Sequence, residues 1–127
     1  MTVNEAIART DALKPNAVTR DQKVAWLNQL DRLAFNEVIL THEHADGATF
    51  EPYADGTEIL IIPEPYDEVY HHYLSMQIDL VGREIDMYNN NKTLYNNAYL
   101  TWQDYHNRTV MPLSQVSDYR IKRTRGW

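Results

Sequence analysis

Between Tyr66 and Tyr88 the chain repeats apolar side chains at spacings of three and four along two separate lines, and a stable fold has to cover both. One line is Tyr66, Val69, Tyr73, Met76, Leu80 and Met87; the other is Tyr70, Leu74, Ile78, Val81, Ile85 and Tyr88. On a helix of 3.6 residues per turn these are two faces of a single element. Pro65 suits a first helical turn, and Asp67 and Glu68 sit favourably beside its positive end. The pattern predicts a helix to about Tyr88, roughly 36 Å long at 1.5 Å per residue. Neighbours must pack on two of its sides, which makes the chain a helical bundle.

Shorter helices precede it. Thr2 and Glu5 have capping-box spacing, which starts a helix over about residues 3 to 13. Pro15 disfavours helix in the residue before it. Thr19 and Gln22 repeat the capping signal, and Val24, Leu27, Leu30, Ala34 and Val38 give a second helix reaching about Leu40. After the long element, Asn89, Asn90 and Asn91 read as a helix end and a new cap. A fourth helix then covers about residues 92 to 107, with Leu94, Ala98, Trp102 and Tyr105 on one side.

Residues 41 to 64 have a different character. The pairs Asp46-Gly47 and Asp55-Gly56 are turn signals. The second lies between Thr49–Glu51 and Glu58–Ile62, which predicts a β-hairpin or an extended loop closed by Pro63 and Pro65. Ile59, Leu60, Ile61 and Ile62 are apolar on both faces. A two-stranded hairpin cannot cover both, so helices or a neighbouring subunit must. The expected fold is mainly α: about four helices, a hairpin or extended loop between the second and third, and a C-terminal arm. The bundle takes residues 1 to 112, and a flexible arm takes 113 to 127.

Charge restricts the partners. Arg120, Lys122, Arg123 and Arg125 lie in the last eight residues, and the other 119 carry eight basic against eighteen acidic side chains. An acidic body repels nucleic acid. Only the arm can approach phosphate or an acidic protein surface, and Trp127 among arginines has the composition of an interface anchor. No window is apolar enough to span a membrane. With no cysteine in the chain, disulfide and thiol chemistry is excluded.

Catalytic motifs are missing from the sequence. Ser75, Ser114 and Ser117 lie outside any nucleophile turn, and the four glycines are too scattered for a phosphate loop. His42 and His44 have acceptable metal-ligand spacing on an extended segment. His71 and His72, adjacent on a helix, point about 100° apart and do not share an ion easily. We therefore expect no metal and no cofactor, and read Asp79, Glu84 and Asp86 as part of a solvated face. Seven tyrosines between Tyr66 and Tyr105 either edge the core or, as tyrosines often do, serve an interface.

Several stretches carry a family resemblance: Val3–Arg9, Leu13-Lys14-Pro15-Asn16, Trp26–Asp31, Pro65–Tyr70 and Tyr88–Asn91. Over about residues 3 to 112 the chain resembles small proteins of siphophage and prophage structural gene clusters, and its layout is similar to head–tail connector (adaptor) proteins. The resemblance implies a structural protein of the virion, assembled in host cytoplasm, and not an enzyme. Its copies would form a homo-oligomeric, dodecameric ring on the portal protein. A tail-side connector or tail terminator protein would adjoin the ring, and DNA would pass through without sequence-specific binding. On this reading Ile59, Leu60, Ile61, Ile62 and Tyr70 meet neighbouring subunits, and Arg120, Lys122, Arg123, Arg125 and Trp127 dock the arm on the portal. A tail-completion or minor capsid protein is the alternative within that class. A small regulatory protein-binding module is the alternative outside it.

Overall fold

In the computed structural model, residues 1–39 and 49–109 are described. They form α1 (Val3–Leu13), α2 (Arg20–Glu37), α3 (Glu68–Val81) and α4 (Ile85–Thr109). The helical bundle expected from the sequence is the fold observed.

Local chemistry accounts for the helix starts. Thr2 accepts from the Glu5 backbone N–H, and the Glu5 carboxylate accepts from Thr2 N–H at 2.9 Å, a complete capping box. The Thr19 hydroxyl accepts from Gln22 N–H at 3.2 Å and opens α2. Leu27, Leu30, Ala34 and Val38 of the α2 stripe are buried, as are Val69, Leu74 and Ile78 on α3. α1, α2 and α3 pack on one another, and α4 packs chiefly on α3.

Two boundaries differ from expectation. The long third helix stops at Val81, where Gly82 and Arg83 turn the chain and Arg83 takes φ 59°. The Asn triplet lies inside α4. Tertiary structure overrides local preference there, because Asn91 Nδ2 donates to the buried Asp79 at 2.6 Å and holds that turn of α4 against the end of α3.

Of the hairpin or extended loop expected between α2 and α3, the extended form is the one observed. Among the described residues there is no strand, and residues 49–62 run as extended chain against the N-terminus. Ile59 makes an isolated antiparallel bridge with Thr2. Leu60 N–H donates to Met1 O at 3.0 Å, Val3 N–H to Glu58 O at 3.1 Å, and Asn4 N–H to Gly56 O at 3.0 Å. Gly56 has φ 94°, which suits glycine. The start of α1 thus takes the edge that a second strand would have used.

Candidate functional site

The buried polar centre of the molecule is Asp31 on α2. Its carboxylate accepts from Tyr70 OH at 2.7 Å, from Ile61 N–H at 3.0 Å and from Tyr53 OH. Tyr70 OH accepts in turn from Ile62 N–H at 2.7 Å. Burial raises the Asp31 pKa despite the hydrogen bonds from Tyr53, Ile61 and Tyr70 that oppose the rise. Burial and the neighbouring carboxylate push both phenols up. The cluster ties the 49–62 segment to α2 and α3, and each of these groups is engaged by another.

Of the two covers open to the apolar segment, helices or a neighbouring subunit, the chain's own core takes most of it, together with Tyr70. Leu60, Ile62 and Tyr70 are buried in the chain's own core, and Ile61 is half-buried. Only Ile59 of that set stands in solvent, at 75% exposure. The segment alternates with a period of two, so one face is covered internally. Arg120, Lys122, Arg123, Arg125 and Trp127 lie outside the described residues, as do His42 and His44.

The carboxylates of the α3–α4 turn also divide differently from expectation. Asp79 is buried, with Oδ1 2.6 Å from Lys14 Nζ and Oδ2 held by Asn91. Glu84 and Asp86 are exposed. Asp79 was hidden to pattern reading because its partners lie 65 residues before it and 12 after it. A cleft of about 630 Å³ opens here, lined by Lys14, Val18, Gln22, Ile78, Asp79 and Val81 among others. Lys14 and Asp79 lie at ion-pair distance from each other at this end of the cleft.

His71 and His72 have ring centroids 5.6 Å apart and tilted planes. Burial is the main cause lowering both pKa values. No grouping of three or more metal-ligating side chains occurs among the described residues. The tyrosines line the α3–α4 seam: Tyr73, Tyr95, Tyr99 and Trp102 follow one another at centroid spacings of 5.1, 6.0 and 5.7 Å. Tyr66 stacks on Tyr105 at 4.7 Å.

Among the described residues, Leu80, Val81, Ile85 and Met87 at one end of the α3–α4 hairpin are each close to half exposed or more. The Lys14–Asp79 pair brings Leu13, at 63% exposure, to the same end. No described helix is long and apolar enough to cross a membrane. Compared with family models, curated proteins and solved structures, the chain matches none.

Proposed function

We propose that the chain is a structural assembly protein: a head–tail connector of a tailed bacteriophage, ringed on the portal protein around the DNA channel. The resemblance in sequence character suggested this reading. The observation that carries it is the apolar end formed by Leu13, Leu80, Val81, Ile85 and Met87. Where exposed apolar side chains form one contiguous patch, they mark an interaction site. The acidic body supports it too, since a channel wall that repels DNA lets it slide.

In the reading, that apolar end and exposed Ile59 meet neighbouring copies, while residues 113–127 dock on the portal. Electron microscopy of lysates from a phage lacking this gene tests it. Filled or leaking heads beside unattached tails are expected, and intact infectious virions would overturn it. Truncation before Leu113 should leave the bundle folded and abolish incorporation into particles.

A further inference from the structure

We infer that the outward face of α4 is a pairing surface for a second copy of this chain, with the two α4 helices antiparallel about a two-fold axis at Asn97. α4 has 25 residues, about 37 Å of helix, yet only Tyr99 and Trp102 are fully buried. Opposite them, Asn90, Thr93, Leu94, Asn97, Leu100 and Thr101 are all exposed and share one face. Helices in water draw most of their stability from a packed face; between Ile85 and Ala98 the inner side of α4, at Tyr88, Asn91, Tyr95 and Ala98, is partly covered by α3, and the outer side is open.

Charge selects the occupant. Between Met87 and Gln103 the only charged residue is Lys92. Two copies of a strongly acidic body repel at most approaches, and this neutral strip is where they can meet. The basic segment near the C-terminus finds no opposite charge along it. A two-fold axis at Asn97 makes the strip self-complementary, because an isologous contact sets each residue level with its mirror in sequence. Leu94 comes level with Leu100, Thr93 with Thr101, and Asp86 of one copy with Arg108 of the other. Asp104, exposed on the same face, comes level with Asn90, so each end of the contact sets Asp86 of one copy near both Asp104 and Arg108 of the other, and its middle carries leucine and threonine. Asp86 and Arg108 also suit the two poles of their own helix, a role that acts within a single copy and is separable by experiment.

The inference does not rest on the connector reading. Neighbours in a ring of more than two copies make a heterologous contact, so the pair is the unassembled state of the chain and opens before a ring closes.

The test is the mass of the full chain in solution, by sedimentation equilibrium across a concentration series. A two-copy mass is expected. Leu94→Glu with Leu100→Glu should give a one-copy mass with the far-UV circular dichroism unchanged. Asp86→Arg and Arg108→Asp should each weaken association at least tenfold, and the double reversal should recover the original value within threefold. Reversing both charges disturbs the helix poles twice, so recovery can come only from the contact between copies. A full chain that stays at one copy at every concentration overturns the proposal and assigns the face to another covering. Association that survives the two glutamates, or charge reversals without recovery, overturns it as well.

Discussion

The Tyr70 hydroxyl on α3 donates to the Asp31 carboxylate on α2 across 2.7 Å, and neither side chain reaches solvent. Through the same two residues the backbone of Ile61 and Ile62 is held, at 3.0 and 2.7 Å. One buried carboxylate therefore fixes two helices and the extended segment together. Asp31→Ala would strand two buried donors and the half-buried Ile61 N–H, each costing about 1–3 kcal/mol when unsatisfied. Partial rearrangement around the gap brings the expected loss to about 3–5 kcal/mol, read as a lower midpoint in urea unfolding. Tyr70→Phe should cost more than Tyr53→Phe, because Tyr70 also serves Ile62 N–H. The reverse order would mean that the segment is held elsewhere.

The same carboxylate gives stability a pH dependence. Burial raises its pKa above the ordinary 3.8, so the folded chain holds that proton more tightly than the unfolded chain does. This contribution is complete below the unfolded value and is lost as pH rises through the folded one. Asp31→Asn should be less stable throughout and should lack that part of the slope in a melting-temperature series. An unchanged slope would place the titration on another group.

Much of this was legible in the sequence, for reasons that separate local from distant causes. Thr2 with Glu5 and Thr19 with Gln22 set their helix starts through contacts three residues apart, and the α2 stripe needed only periodicity. The Asp31 cluster draws its donors from Tyr53, Ile61 and Tyr70, 22 to 39 residues away, which periodicity does not report. A signal was present nonetheless: Asp31 stands in the apolar stripe beside Leu27, Leu30 and Ala34, where a carboxylate needs donors. The alternation of Leu60 and Ile62 against Ile59 was masked because Ile61 is apolar as well. At the α3–α4 boundary three asparagines gave a stronger local signal than one glycine, and the Asp79–Asn91 contact reversed the choice.

His71 and His72 supply a second pH effect of opposite sign. Burial holds both below the ordinary 6.5, and for His71 the neighbouring His72, Arg9 and Lys14 add to it while Glu68 opposes. The unfolded chain protonates these rings first as pH falls, so stability present above 6.5 is lost on descending through the folded values. The melting temperature should fall between roughly pH 7 and pH 5. His71→Gln with His72→Gln should flatten that interval, and a wild-type slope in the double variant would rule the pair out.

The position of the α3–α4 break makes the last prediction. Arg83 sits at φ 59°, a left-handed conformation costing an ordinary residue about 1–2 kcal/mol. Arg83→Gly removes that cost and adds back up to about 1 kcal/mol of unfolded-chain freedom, for a net gain of about 0.5–1 kcal/mol. Gly82 has φ −78°, and an added Cβ there would stand 3.5 Å from Ile78 O, an ordinary contact, so Gly82→Ala should be tolerated. Asn90→Pro should instead cost about 3 kcal/mol or more, since a proline inside a helix loses a hydrogen bond and clashes with the preceding turn. A chain broken at the asparagines would give the opposite result, tolerating proline at 90 and gaining nothing from glycine at 83. Urea midpoints for the three variants decide between the two.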